Sequence, residues 1–185
     1  TPEVKNNLNF IPAGLYRYNI NLSMKKERSV LFSCGLGGEE LDISKLALKQ
    51  IIDEKLKPCD YLYVEKRMLP KKYPLWIKVA DFSDKMFNNC IAACIRPGLG
   101  TVSDALINNI RIFAFSKPNS FEMNYNGKII QELGVGEYSF SPYESYKNAL
   151  EYIKEDSLIS LQKYKTIHMR TDGIFATAKF IINKL

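Results

Sequence analysis

A glycine-containing turn, RPGLGTVSD at residues 96–104, carries the residue types best suited to chemistry. An apolar run, CIAACI, precedes it, and a run of helical character over residues 102–109 follows it. Gly98 and Gly100 have no Cβ, so a ligand can approach the backbone of the turn closely. A helix that leaves such a turn directs unpaired N–H groups and the positive end of its dipole back at it. The spacing therefore predicts an anion site of the kind that most often holds phosphate.

The sequence around this turn alternates between strand-like and helix-like segments. The predicted strands cover residues 29–34, 60–64, 75–79, 90–95, 111–115 and 135–140, and the predicted helices cover residues 39–56, 83–89, 102–109, 121–133, 142–154 and 173–185. Compact apolar runs indicate the strands, whereas helical spacing and capping residues indicate the helices. This alternation is typical of parallel β-α-β units. We therefore expect an α/β, Rossmann-like parallel sheet of about six strands with helices on both faces.

A second glycine-rich loop, CGLGG at residues 34–38, follows the first predicted strand. In open parallel sheets, ligands bind beyond the carboxyl ends of the strands. Both glycine loops should therefore lie at one edge of the sheet, where a ligand that carries phosphates could be held between them.

The residues of the first turn also have a structural interpretation that needs no ligand. Thr101-x-x-Asp104 is close to a capping box, in which the threonine would cap the helix. Gly98 and Gly100 could simply form a tight turn between strand and helix. Arg96 could be a surface charge at a strand end, or it could contact a phosphate. The turn taken alone leaves these alternatives open.

Composition restricts the class of protein. The net charge of +6 is mild and its basic residues are scattered, so we do not expect nucleic acid as a partner. A single histidine and the lack of a CxxC pair argue against a zinc site. Cys90 and Cys94 are an even number of residues apart, so we expect both on one face of a strand. The first residues lack the features of a signal peptide, and no apolar run reaches membrane-spanning length. We therefore expect a cytoplasmic protein.

The basic residues form one cluster, in the segment EKRMLPKKYPLW at residues 65–76. The preferred interpretation is a solvated loop. The alternative is peripheral contact with the anionic inner face of a membrane, in which Met68, Leu69 and Trp76 would dip in beside the lysines.

Four segments resemble, in order, the C-terminal half of a GT-B glycosyltransferase. They are VLFSCGLGG, ACIRPGLGTVSDALINNIRIFAF, FEMNYNGKIIQELGVG and DGIFATAKFIINKL. The second is similar to the family's arginine-x-glycine-x-x-threonine-x-x-acidic signature, and the third to its acidic-glutamine-x-x-asparagine-alanine stretch. The resemblance is greatest to the branch that contains the peptidoglycan lipid-intermediate N-acetylglucosaminyltransferase and the diacylglycerol sugar transferases.

The resemblance implies that particular positions bind a nucleotide-sugar donor. The positions implied for the diphosphate and ribose are Gly35, Gly37, Gly38, Arg96, Gly98, Gly100, Thr101 and Asp104. Those implied beside the uracil ring are Val79, Ala80 and Phe82, and those implied at the donor sugar are Glu122, Met123 and Asn126. Thr101 would offer its N–H and hydroxyl to the diphosphate, and Asp104 would hold the ribose hydroxyls. Methionine stands at residue 123 where the family usually has glutamine, and its thioether makes no strong hydrogen bond to a sugar.

The resemblance also implies a function and a division of the chain. Residues 1–28 would be a leader or interdomain linker, and residues 29–185 would bind a UDP-sugar in a hexosyltransferase. The catalytic base and the acceptor site would belong to an N-terminal domain or partner subunit, so this chain alone would bind nucleotide without transferring sugar. No metal or other cofactor is expected. The alternatives are a nucleotide-sugar hydrolase or epimerase, and a non-catalytic donor-binding subunit of a split glycosyltransferase.

Overall fold

The structure is a computed structural model that describes residues 27–35 and 40–154. Its strands are β1 Ser29–Ser33, β2 Leu62–Val64, β3 Ile77–Val79, β4 Cys90–Ile95, β5 Arg111–Phe115 and β6 Gly136–Ser139. Its α-helices are α1 Leu41–Asp53, α2 Asp84–Asn89, α3 Leu99–Ile107, α4 Phe121–Glu132 and α5 Pro142–Lys154. A short 3₁₀ helix, Lys66–Met68, follows β2. The helix predicted over residues 173–185 lies outside the described residues, as does almost all of the predicted leader.

The six strands form one sheet in the order β3-β2-β1-β4-β5-β6, and every neighbouring pair is parallel. The chain therefore winds outward from β1 to β3, returns to the centre at β4 and winds outward again to β6. The direction of winding reverses between β1 and β4. Such a switch point leaves a crevice at the carboxyl ends of the two strands, because the connections that follow them diverge.

Helices cover both faces of the sheet, as the sequence predicts. On one face, α1 and α5 pack against a core that contains Phe32, Leu48 and Tyr146. On the other face, α2, α3 and α4 pack against a core that contains Leu31 and Ile95. The α/β, Rossmann-like expectation is therefore confirmed, and α3 lies on the same face as α2 and α4.

Two helix ends follow from local sequence signals. Ser141 caps α5, since its Oγ accepts a hydrogen bond from the Glu144 N–H at 3.2 Å. Gly134 follows the end of α4 with φ +69°, a conformation in which a side chain would be strained. Both predicted boundaries are confirmed.

The sequence prediction places the start of α3 at the wrong residue. The helix begins at Leu99, not at residue 102. Leu99 and Gly100 are exposed and carry no apolar periodicity, so the sequence pattern places them in the turn. As a result, Gly100 and Thr101 belong to the first helical turn and not to the loop before it.

The cysteines of β4 correct a second expectation. Cys90 and Cys94 are both buried, but they belong to the cores on opposite faces of the sheet. Ser29 of β1 pairs with Cys90, whereas the next residue, Val30, pairs with Ala92. The extra residue in β4 is a bulge that resets the alternation of side chains between the two faces.

The basic segment after β2 buries or half-buries the three apolar side chains that the membrane interpretation names, whereas Leu75 is exposed. Met68 is 2% exposed, and Leu69 and Trp76 pack against the core beside α1. Within the described ranges, no helix is both long and apolar enough to cross a bilayer.

Candidate functional site

The two glycine loops leave the sheet side by side at the switch point. Ser33, the last residue of β1, pairs with Ile95, the last residue of β4, and the Arg96 N–H donates to the Ser33 carbonyl at 3.1 Å. The backbone thus holds the first residues of both loops together. The adjacency predicted from the sequence is confirmed as far as Gly35, whereas Gly37 and Gly38 lie outside the described residues.

The N-terminus of α3 opens onto this crevice without a side-chain cap. Gly98 is the N-cap, and the first helical hydrogen bond runs from the Val102 N–H to the Gly98 carbonyl at 3.0 Å. The N–H groups of Leu99, Gly100 and Thr101 therefore lie outside the helical ladder. A Cβ on Gly100 would meet no atom of the described residues within 4 Å, so these residues leave open space over its backbone.

This geometry rules out the capping-box interpretation of Thr101-x-x-Asp104. Thr101 is the third helical residue, and Gly98 occupies the N-cap position. Asp104 instead lies four residues after Gly100 and three residues after Thr101, so it shares a side of α3 with each of them. Asp104 lies about 6 Å further along the helix axis than Gly100, since an α-helix rises about 1.5 Å per residue. The side of α3 that carries the open N–H groups at its start therefore also carries the half-buried carboxylate of Asp104 about one turn later.

Arg96 forms an ion pair with Glu40 across the mouth of the crevice. The Arg96 Nε lies 2.8 Å from Glu40 Oε2, and Glu40 is fully buried whereas the Arg96 side chain is 17% exposed. Among the described residues, neither carboxylate oxygen of Glu40 accepts a hydrogen bond of good geometry, so the contact with Arg96 is an ion pair. A buried carboxylate left without its cation costs about 3–5 kcal/mol, so Arg96 is held beside Glu40. Arg96 is therefore not the surface charge that one interpretation of the sequence allowed.

The glycine loop that follows β1 is fixed by a second carboxylate, Glu65, directly after β2. Glu65 accepts hydrogen bonds from the Ser33 hydroxyl at 2.9 Å and from Arg67 Nε at 2.6 Å. Arg67 also donates to the Gly35 carbonyl, and the Gly35 N–H donates to Ser33 Oγ. Gly35 has φ +67°, which its lack of a side chain permits. These contacts fix the path of the backbone as it leaves β1.

The thiol of Cys34 lies within the same cluster. Burial, reinforced by the neighbouring Glu65 carboxylate, raises the pKa of Cys34 to about 12. The thiol is therefore protonated at neutral pH and is a poor nucleophile. Cys34 contributes packing beside the crevice, and the structure gives it no reactive character.

The segment predicted to contact the base follows β3 and leads into α2. Val79 and Phe82 are exposed, whereas Ala80 is buried and its N–H donates to the Val64 carbonyl at 2.8 Å. Phe82 has φ +55°, a conformation that is uncommon for a residue with a side chain. The Asp81 carboxylate accepts from the N–H and hydroxyl of Ser83, and these hydrogen bonds hold its pKa below the ordinary value.

The residues predicted at the donor sugar lie in the first half of α4, and the structure gives them different surroundings. Glu122 is exposed, whereas Met123 is 2% exposed and packs into the core. Asn126 donates from Nδ2 to the Pro97 carbonyl at 3.0 Å. Asn126 therefore connects α4 to the turn that precedes α3, a contact that no local pattern in the sequence indicates.

Glu40, Glu65 and Arg67 are the residues near the crevice that the sequence prediction missed. Each contacts a loop residue far away in the chain, Glu40 contacting Arg96, Glu65 contacting Ser33 and Arg67 contacting Gly35, so spacing within a motif could not reveal these contacts. Within the described ranges, no group of three or more His, Cys, Asp or Glu side chains is arranged to hold a metal ion.

Comparisons with known proteins agree with this architecture. A scan of family models found no match, and a search of curated proteins found none either. Among solved structures, the glycotransferase of kitacinnamycin is 14% identical with a TM-score of 0.59, over 92% of this chain and 46% of that one. The glycosyltransferase SnogD from Streptomyces nogalater is 16% identical with a TM-score of 0.56, over 87% of this chain and 45% of SnogD. The glycosyltransferase SsfS6 from Streptomyces sp. SF2575, complexed with thymidine diphosphate, is 15% identical with a TM-score of 0.56, over 96% of this chain and 45% of SsfS6.

The chain spans about half the length of these glycosyltransferases. At this level of sequence identity, the similarity to these structures shows the fold alone. The six-stranded parallel sheet is therefore the Rossmann-like fold found in GT-B glycosyltransferases.

Proposed function

We propose that this chain is the nucleotide-sugar donor-binding half, the C-terminal half, of a GT-B glycosyltransferase. The observation that carries the proposal is the uncapped N-terminus of α3 at the switch point, with open space over Gly100. The ordered sequence segments and the fold shared with glycosyltransferases support it.

The reaction explains why such a site would contain a helix N-terminus. When the bond between a donor sugar and its nucleotide breaks, negative charge grows on the departing diphosphate. The end of a helix stabilises a nearby negative charge by about 0.3–2 kcal/mol. N–H groups that are already fixed in place add to this, because they need no reorganisation as the charge develops. The N–H groups of Leu99, Gly100 and Thr101 would supply this stabilisation.

Asp104 would accept hydrogen bonds from the sugar of the nucleotide. A carboxylate can accept from the two hydroxyls of a ribose diol at once. Thymidine diphosphate, which SsfS6 holds, has a deoxyribose and offers one hydroxyl fewer than uridine diphosphate does. We propose UDP as the preferred nucleotide, and Asp104 as the residue that distinguishes it from TDP.

Calorimetry with UDP, TDP and GDP tests the proposal directly. We expect UDP to bind most tightly, and Asp104→Ala to weaken UDP binding by about 1–3 kcal/mol, the scale of a hydrogen bond to a charged group. TDP should lose less in the same variant. Asp42→Ala, which removes an exposed carboxylate from the start of α1, is the matched control and should leave both affinities unchanged. If none of the three nucleotides binds at millimolar concentration, the proposed function is wrong.

The transfer reaction requires an acceptor site, which we assign to a second domain or subunit. The expectation is that the isolated chain binds UDP-sugar without turning it over. Incubation with UDP-N-acetylglucosamine tests this, since release of UDP without any acceptor would instead favour a nucleotide-sugar hydrolase.

A further inference from the structure

The ion pair between Glu40 and Arg96 has a geometry that suits a role in ligand binding. Arg96 Nη1 lies 4.0 Å from the position that a Cβ would take on Gly35 and 3.8 Å from the equivalent position on Gly98. The outer end of the guanidinium therefore lies between the two loops of the crevice. Its inner nitrogen, Nε, contacts the buried Glu40 carboxylate at 2.8 Å.

Glu40 is fully buried behind Arg96 and cannot itself reach a ligand in the crevice. Among the described residues, Arg96 is the one basic side chain in ion-pair contact with it. The guanidinium is planar and carries five N–H donors in a fixed arrangement, so it can contact a carboxylate along one edge and a phosphate along another. A lysine ammonium, as a compact point charge, does not share this geometry.

The geometry points to Glu40 as a positioning residue for the nucleotide diphosphate, acting through Arg96. Glu40 holds Nε, and this contact keeps the terminal nitrogens directed at the crevice beside the N-terminus of α3. Glu40 also neutralises part of the charge on Arg96, so the site depends on the direction of the N–H groups more than on net charge. This inference rests on the proposed function, because it requires that a diphosphate binds there.

A double-mutant cycle tests the inference. Calorimetry with UDP is carried out on the wild-type protein, Glu40→Ala, Arg96→Lys and the double variant. Arg96→Lys retains a cation beside Glu40 and should fold. We expect each single variant to bind UDP about tenfold more weakly, the scale of one charge-assisted hydrogen bond. The double variant should be no weaker than Arg96→Lys alone, because Glu40 acts through the guanidinium.

Two further variants separate positioning from a general loss of stability. Glu40→Gln retains the shape of the side chain and a carboxamide oxygen beside Nε, and should recover part of the affinity that Glu40→Ala loses. Glu137→Ala removes the carboxylate of another arginine ion pair, Arg111–Glu137, on strands β5 and β6, and should leave UDP affinity unchanged. Urea unfolding, measured on each variant, reports stability independently of binding.

The possible results distinguish this inference from the proposed function. Absence of UDP binding by the wild-type protein overturns both. Normal UDP affinity in folded Glu40→Ala overturns the inference alone, as does an additive loss in the double variant. If Glu40→Ala does not fold, Glu40→Gln in the Arg96→Lys background decides: a further loss of affinity relative to Arg96→Lys shows that Glu40 acts independently of Arg96.

Discussion

The Asn126 side chain donates a hydrogen bond of 3.0 Å to the Pro97 carbonyl and thereby joins α4 to the turn before α3. The family resemblance assigns Asn126 to the donor sugar, whereas the contact in the structure is with the protein's own backbone. The two roles make different predictions for the same substitution.

We expect Asn126→Ala to lower the free energy of unfolding by about 1 kcal/mol, the usual contribution of one hydrogen bond. Because the turn before α3 would lose a support, binding of UDP and of UDP-sugar should weaken by the same factor. Urea unfolding and calorimetry measure the two effects. A loss confined to UDP-sugar would show that Asn126 contacts the sugar and that its bond to Pro97 is exchanged on binding. Lys128→Ala, at an exposed position of α4, is the control.

Gly100→Ala should change stability and binding in opposite directions. A Cβ at this position meets no atom of the described residues within 4 Å, and alanine restricts the unfolded chain more than glycine does. We therefore expect the protein to become more stable by about 0.5 kcal/mol. The methyl group would cover the backbone that a phosphate must approach, so UDP affinity should fall by about 1 kcal/mol or more, the loss of one hydrogen bond to a charged group.

The opposite signs make the Gly100→Ala result easy to interpret. A loss of binding in a more stable protein cannot be attributed to unfolding. Unchanged UDP affinity in this variant would contradict a diphosphate site at the start of α3.

The parts of the fold that depend on local sequence could be predicted. Most of the six strands are short apolar runs separated by turn residues. Ser141 marks the start of α5 and Gly134 the end of α4, because capping depends on neighbouring backbone groups. The parallel arrangement, with both glycine loops at the carboxyl edge of the sheet, follows from the general rules for such sheets, whereas the order of the strands and the switch point between β1 and β4 come from the structure. Local pattern and winding rules thus account for the position of the crevice.

The errors occur where structure depends on contacts between distant residues. The opposite orientation of Cys90 and Cys94 results from a bulge that exists only when β4 pairs with β1. The start of α3 depends on Gly98 acting as the N-cap without a side-chain hydrogen bond, whereas the sequence pattern favours Thr101 for that position. The partner of Arg96 is Glu40, which belongs to a different β-α unit. The same limitation explains why the second carboxylate cluster, around Glu65, was not predicted.

Gly127 lies against the ring of Tyr138, and this contact predicts a large effect from a small substitution. A Cβ on Gly127 would lie 2.3 Å from a ring carbon of Tyr138, too close to be accommodated without movement. The Tyr138 hydroxyl also donates to Asn124 Oδ1 at 2.8 Å, and a displaced ring would lose this bond. We expect Gly127→Ala to lower the free energy of unfolding by about 1–3 kcal/mol, as overpacked cores do.

A second substitution checks the cause of this effect. In a Tyr138→Ala background the ring is absent, so Gly127→Ala should cost much less, and the two effects should be far from additive. Urea unfolding of the four proteins measures the coupling. Additive losses would show that the glycine is required for another reason.

The raised pKa of the Cys34 thiol leads to a prediction of how the free energy of unfolding changes at alkaline pH. Burial beside Glu65 raises its pKa to about 12 in the folded protein, whereas a cysteine in an unfolded chain ionises near its ordinary value of about 8.5. The stabilising contribution is therefore complete below pH 8 and is lost progressively as the pH rises toward 12, because the unfolded state releases its proton first.

We expect the free energy of unfolding of the wild-type protein to fall between pH 8 and pH 10 by about 2 kcal/mol more than that of Cys34→Ala. Cys59→Ala, at an exposed cysteine, is the matched control and should follow the wild-type pH dependence. Urea unfolding at the two pH values measures the difference. Parallel curves for the wild-type protein and Cys34→Ala would mean that the thiol ionises as easily in the folded protein as in the unfolded chain. The tight packing of the β1 carboxyl end against Glu65 would then be wrong, and with it the fixed position of Gly35 at the crevice.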